Sequence, residues 1–164
     1  MSFYMHLRAV PESEAGDDHS SLTTFMRAAW EIHAEEYEAG LAESVNKDFA
    51  MVHEFYETAA GRPQGADGAW ELPVFGGRVV RHPSEEQPPF ALLCPTGVAR
   101  AAAFLDGLRF DAFWDRAGTA FRAPFSAWDE ADVKNVFFEH HSGLLAFYLR
   151  AAARGDAVIK AFWY

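Results

Sequence analysis

The segment LLAFYLRAAARGDAVIKAFWY (residues 144–164) joins the end of a helix to a strand, and it decides the fold class. Apolar residues recur at helical spacing up to Arg154, and Gly155 is typical of a helix end. The stretch from Asp156 onward is apolar on both faces, which indicates a strand covered on both sides. We therefore predict a long C-terminal helix followed by a central C-terminal strand.

Upstream of this segment, strand-like and helix-like patterns alternate along the chain. Strands are predicted at 2–10 and 90–94, with two more short strands around a Gly76–Gly77 turn. Helices are predicted at about 20–39, 46–60, 97–106, 110–118 and 128–154. Strands at both ends and in the middle predict a single compact α+β domain over residues 1–164, with a mixed sheet of a few strands covered by helices.

Polar residues and glycines mark the predicted helix ends. Ser20 or Ser21 is expected to cap the first helix and Asn46 the second. A pair formed by Ser126 and Asp129 is expected to begin the last helix. The predicted stops are Gly40, Gly61, Gly118 and Gly155.

The composition indicates a folded intracellular protein. The chain is 50% hydrophobic and 15% aromatic, which excludes a disordered chain. Cys94 has no second cysteine with which to form a disulfide, which fits a reducing compartment, and the N-terminus does not resemble a signal peptide. No stretch reaches the length of a membrane span, so we expect a cytoplasmic protein. Whether it forms a homo-oligomer stays open.

The net charge of -10 is unevenly distributed. Residues 1–60 hold 12 acidic residues against three basic ones, a net of nine negative charges, whereas the remainder is nearly balanced. An acidic N-terminal third disfavours nucleic acids and anionic membranes as partners. A basic protein partner fits this charge, and so does a solvated acidic surface that aids solubility.

Two adjacent histidines, His140 and His141, lie in the sequence FFEHHSG (residues 137–143) of the long helix. Neighbouring helical residues point about 100° apart, so the two rings diverge toward opposite edges of the apolar stripe. A helical metal pair would be spaced three or four residues apart, which disfavours a shared metal. We interpret both as packed, hydrogen-bonded rings, with the alternative that one of them faces a pocket.

His53 is the stronger candidate for chemistry. It precedes Tyr56 by three residues, so both lie on one helix face, and an imidazole beside a phenol can act as an acid–base pair. A polar rim of the core is the alternative.

Cys94 follows a predicted strand and precedes a predicted helix, a location that can activate a thiol, but we interpret it as buried and inert. No phosphate-loop, serine-hydrolase or zinc motif is found, so we expect no metal and no cofactor.

Several stretches, in order, resemble the YfbM-like family, a bacterial family of domains of unknown function. VNKDFAMVH (residues 45–53) resembles the family element Leu-Asp-Lys-x-Trp-x-x-x-His, with Asn46 and Phe49 departing from it. VFGG (residues 74–77), LLCPTGVARAAAFL (residues 92–105) and LLAFYLRAAARGDAVI (residues 144–159) resemble its turn, its strand and helix, and its closing helix and strand. The resemblance implies a compact single domain and carries Lys47 and His53 over as site residues, but it implies no activity.

Three functions remain open at this stage. The first is a ligand-binding or protein-interaction module, whose partner is a small molecule or a protein. The second is an enzyme of unknown class that uses His53 as its acid or base. The third is an acidic inhibitor or immunity-type protein that binds a basic partner. The candidate binding residues are Lys47, His53, Tyr56, Trp70, Gly76 and Gly77.

Overall fold

Five strands form one sheet in the computed structural model, which describes residues 3–61 and 68–163. The strands are β1 (Tyr4–Val10), β2 (Ala42–Asn46), β3 (Arg78–Val80), β4 (Phe90–Leu93) and β5 (Ala157–Trp163). Their order is β2-β1-β5-β4-β3, and each neighbouring pair is antiparallel. The sheet expected to be mixed is thus antiparallel, and β5 is its central strand, as predicted.

Helices cover both faces of this sheet. They are α1 (His19–Glu31), α2 (His33–Glu38), α3 (Phe49–Ala59), α4 (Pro95–Gly107), α5 (Phe110–Arg122) and α6 (Glu130–Arg154). Leu22 and Met26 of α1 pack with Val10 and Ile159 on one face. The larger core lies on the other face, where α3, α4, α5 and α6 pack on the opposite side chains of β1 and β5. The predicted single compact α+β domain is confirmed.

The first predicted helix is divided in two. Its backbone leaves helical geometry at Ile32, and α2 then turns Glu36 inward to pair with Arg8 of β1 at 2.6 Å. The expected cap at Ser20 or Ser21 is wrong, because Asp18 takes that role and accepts a hydrogen bond from Ser21 N at 2.9 Å.

β2 is a strand that sequence patterns did not predict. It pairs with β1 through the register Met5↔Val45, and its polar residues hide the alternation that would have revealed it. Asn46 is its last residue, so the predicted helix cap at Asn46 is wrong. α3 begins three residues later, at Phe49.

The predicted hairpin at Gly76–Gly77 is wrong. The segment before it forms a single 3-10 turn (Ala69–Glu71) followed by a tight bend, and β3 pairs with β4 instead. Gly76 N donates to Glu71 O at 2.7 Å, and a Cβ at Gly76 would lie 2.9 Å from that backbone. Gly76 therefore allows two stretches of backbone to touch, which is a different role from a hairpin turn.

Two helix ends also differ from prediction. α5 continues through Gly118 to Arg122, so the expected stop is wrong. Asp129 precedes α6 but makes no capping hydrogen bond with its side chain, so the predicted Ser126–Asp129 capping pair does not form. The predicted stop at Gly155 is confirmed, since its φ of 71° is the left-handed conformation that ends many helices.

Candidate functional site

His53 and four other aromatic side chains form one cluster at the surface. We call Phe49, His53, Trp70, Phe75 and Phe162 the aromatic platform. The His53 ring centroid lies 5.1 Å from that of Trp70 and 4.7 Å from that of Phe75. Phe49, Phe75 and Phe162 form a triangle of centroids 5.7–5.9 Å apart, which are ordinary distances for packed aromatic rings.

Four parts of the chain bring these rings together. Phe49 and His53 are four residues apart on α3 and therefore lie on one face of it. Trp70 belongs to the 3-10 turn, and Phe75 to the bend that follows. Phe162 comes from the end of β5. The platform thus depends on the 3-10 turn and the bend after it being held against α3.

The platform is open to solvent on one side. Phe75 is 40% exposed, and the other four rings are partly exposed. His53 Nδ1, in contrast, is buried and has no hydrogen-bond partner within the described residues. Burial lowers the pKa of His53, and the carboxylates of Glu57 and Glu71 partly oppose that effect. His53 therefore contributes a neutral ring at neutral pH.

Lys160 lies beneath the platform and was not among the predicted site residues. It is fully buried, and its Nζ donates to Leu72 O at 2.6 Å and Gly76 O at 2.7 Å. The Tyr148 hydroxyl donates to Pro73 O at 2.9 Å. The signal for Lys160 was present in the sequence, because a lysine at the centre of a strand that is apolar on both faces requires a partner.

The structure brings together some of the predicted site residues and separates others. Trp70 contacts His53, and Gly76 belongs to the bend bound by Lys160. Lys47 is exposed between β2 and α3. Tyr56 is buried, and its hydroxyl contacts His141 Nδ1 at 3.3 Å.

Gly77, the remaining predicted site residue, has a φ of +119°. It passes close to β4, where a Cβ on Gly77 would lie 2.5 Å from Leu92 O. Gly77 therefore serves the close approach of the bend to the sheet, a geometry that a residue with a side chain rarely adopts.

The two histidines of the long helix pack against different elements. His141 is buried, its ring lies 5.7 Å from Phe110, and burial lowers its pKa to about 4. His140 lies on the other shoulder, with Nε2 3.5 Å from Asp48 Oδ2. The rings diverge as predicted, and both pack against the fold. The acid–base pair expected between His53 and Tyr56 is replaced by a buried contact between Tyr56 and His141.

Cys94 is exposed, so the prediction of a buried thiol is wrong. It precedes α4 and lines a cavity of about 450 Å³, together with Arg78, Thr96 and Arg100.

Within residues 3–61 and 68–163, no group of three or more His, Cys, Asp or Glu side chains is arranged to hold a metal ion. Among the helices of the same two ranges, none combines the length and apolar character of a membrane span.

A family model described as a domain of unknown function (DUF1877) matches residues 1–161. The chain belongs to the DUF1877 family. The crystal structure of a protein of unknown function, YfbM from Escherichia coli, resembles this DUF1877 chain with a TM-score of 0.61 and 11% sequence identity. The match covers 98% of this chain and 99% of YfbM. No curated protein matches the chain.

The similarity to YfbM extends over nearly the whole of both chains, so the DUF1877 fold is shared from end to end. At 11% identity it shows the fold alone. The family resemblance seen in the sequence is confirmed, and it carries no activity. A function for this DUF1877 protein therefore has to be argued from the side chains of its own site.

Proposed function

We propose that this protein is a binding module whose aromatic platform binds a basic segment of a protein partner. One observation carries the proposal: five packed rings stand at the surface, and Phe75 leaves 40% of its area exposed. Exposed aromatic faces attract the cationic side chains of lysine and arginine, with about 0.5–2 kcal/mol for each good contact.

The charge around the platform favours a cation. Three carboxylates, those of Glu54, Glu57 and Glu71, act electrostatically on His53, against one opposing amine, that of the buried Lys160. His53 itself is neutral and does not repel a cation. The net charge of -10 adds long-range attraction for a basic partner, which raises the rate of encounter and makes it dependent on salt.

The open geometry favours a protein segment over a small metabolite. Small-molecule sites are usually concave and bury most of their ligand, whereas the platform lies at the surface with Phe75 exposed. A segment that carries arginine or lysine next to an apolar residue would cover Phe75 and place its cation toward the carboxylates. The inhibitor or immunity-type hypothesis calls for the same kind of partner.

The enzyme hypothesis has less support. General acid–base catalysis by His53 requires a second polar group beside its ring. The hydroxyl expected there belongs to Tyr56, which contacts His141. His53 Nδ1 is buried between aromatic neighbours and has no hydrogen-bond partner within the described residues.

Fluorescence anisotropy with a labelled peptide of alternating arginine and leucine tests the proposal directly. A matched peptide with glutamine in place of arginine is the ligand control. We expect wild-type protein to bind the arginine peptide and to bind it more weakly at high salt. We expect it not to bind the glutamine peptide.

Phe75→Ala should weaken binding of the arginine peptide about tenfold, since a central aromatic contact is lost. Phe138→Ala is the matched protein control, because Phe138 is 46% exposed but lies on α6, outside the platform. Equal binding of both peptides, or equal loss in both variants, would show that the platform does not recognise cations.

A further inference from the structure

Lys160 is a lysine at the centre of the sheet with no exposure to solvent. On β5 it lies between Leu7 of β1 and Ala91 of β4. Its amine points to the side of the platform and donates to the carbonyl oxygens of Leu72 and Gly76. A single side chain thus binds the first and the last residue of the bend that carries Phe75.

A lysine in this position is costly to the fold. Among the ion pairs of the described residues, none involves Lys160. Burial lowers the pKa of its amine well below the usual value, because no carboxylate compensates for the lost hydration. A methionine of similar length would avoid the desolvation cost of the amine but would leave the carbonyls of Leu72 and Gly76 without their donor. What the lysine supplies, and a methionine would not, is a donor for both ends of the bend.

The bend needs partners from the core because its own backbone leaves carbonyls unpaired. Gly76 N closes the bend by donating to Glu71 O, and the carbonyls of Leu72, Pro73 and Gly76 face side chains of the core. Buried carbonyls require hydrogen bonds. The Tyr148 hydroxyl binds that of Pro73, and the lysine amine binds the other two. The bend is therefore held against the core by hydrogen bonds from Lys160 of β5 and Tyr148 of α6.

We propose that Lys160 is the positioning residue of the aromatic platform: by binding both ends of the bend, it fixes Phe75 against His53 and Phe49. A binding surface gains affinity when its contacts are fixed before the partner arrives. The relevance of this role to a partner rests on the proposed function, but the geometry that Lys160 sets can be measured without any partner.

Lys160→Met tests this role by nuclear magnetic resonance. The ring protons of His53 lie within the ring currents of Trp70 and Phe75, so their chemical shifts report the geometry of the platform. We expect Lys160→Met to fold and to lose most of that ring-current shift, because the bend loses the donor that binds both of its ends. Lys134→Met makes the same substitution at a distant site on α6 and should leave the His53 resonances unchanged.

Resonances of His141, which packs against Tyr56 and Phe110, serve as the internal reference for an intact core. A shift confined to His53 identifies a positioning role, whereas a general change identifies a merely structural one. Should the methionine variant fail to fold, Lys160→Gln keeps donors on a shorter side chain, and a partial loss of the shift is expected from it. Unchanged His53 resonances in either folded variant would overturn the proposal.

Peptide binding separates the two proposals. If wild-type protein binds the arginine peptide, Lys160→Met should bind it about tenfold more weakly while Lys134→Met binds normally, because a mobile Phe75 has to be ordered on binding. If wild-type protein binds no basic peptide, the proposed function fails, and the His53 resonances still decide the role of Lys160. Normal peptide affinity in Lys160→Met would contradict the positioning role.

Discussion

At the scale of single residues, His6 shows how strongly burial controls charge in this protein. It is fully buried, its ring lies 4.9 Å from His33 and 5.2 Å from Trp30, and neither nitrogen has a hydrogen-bond partner within the described residues. Burial, with smaller contributions from His33 and Arg8, lowers the pKa of His6 to about 3. Arg8 is itself held by Glu36. His6 therefore folds as a neutral ring.

The pKa of His6 predicts a loss of stability in acid. Its pKa is lower in the folded than in the unfolded chain, so below about pH 6.5 the unfolded chain binds more protons. The stabilisation is fully present above that pH and is lost progressively toward about pH 3, by on the order of 4 kcal/mol. We expect His6→Leu to flatten the dependence of the unfolding free energy on pH over this range.

Urea denaturation at a series of pH values measures this effect. His82→Leu, a substitution of a partly exposed histidine in the loop after β3, is the matched control and should keep the slope of the wild type. A slope unchanged in His6→Leu would mean that other groups cause the sensitivity to acid, with His141 the next candidate because burial lowers its pKa to about 4.

At the scale of elements, α5 depends on a glycine in its interior. Gly118 is buried, and a Cβ there would lie 2.5 Å from the indole ring of Trp114. That ring is 4% exposed and packs against Phe110 and Phe137. The glycine is needed because the indole occupies the space of its side chain. Glycine lowers the helix propensity of α5, but it leaves the room that the indole of Trp114 needs.

Gly118→Ala should therefore destabilise the protein even though alanine is the better helix former. The gain in propensity is about 1 kcal/mol, whereas overpacking against Trp114 costs about 1–3 kcal/mol. Gly107→Ala is the control, because no atom lies within 4 Å of its added Cβ near the end of α4. Thermal unfolding should show a lower midpoint for Gly118→Ala and an equal or higher one for Gly107→Ala. The reverse order would show that Trp114 can move aside.

Elements that rest on local patterns could be predicted, and those that rest on distant contacts could not. The long helix, its stop at Gly155 and the central β5 are encoded in periodicity and one glycine. β2 could not be predicted, because a short, half-polar edge strand becomes a strand by pairing with β1. Likewise, the glycine pair at 76–77 has the local signature of a hairpin, but contacts with Glu71 and β4 decide its conformation.

The candidate site was predicted only as far as its local residues. His53 and Trp70 were both among the predicted binding residues, and the structure brings them into contact. Phe75 and Phe162 reach the same cluster from different parts of the chain, which no spacing reveals. The identity of the aromatic platform is therefore a consequence of tertiary packing.

At the scale of the whole molecule, β5 is the central strand and contributes side chains to both cores. Ile159 and Ala161 face the core beneath α1, and Val158 belongs to the larger core beneath α3, α4, α5 and α6. β5 is hydrogen-bonded on both sides, to β1 and to β4. β3 is three residues long, pairs on one side and leaves Val79 46% exposed. Stability should therefore decrease from the centre of the sheet to this edge.

Native-state hydrogen exchange would reveal that gradient. Amides of β5 that bond to its neighbours should exchange only through global unfolding, since any opening of β5 disrupts both cores. Amides of β3 that bond to β4 should exchange through local opening, with free energies several kcal/mol lower than those of β5. Added urea should then speed exchange in β5 strongly and in β3 weakly, because global opening exposes far more surface than local opening. Equal urea dependence in both strands would mean that β3, and with it the bend that carries Phe75, unfolds together with the central sheet.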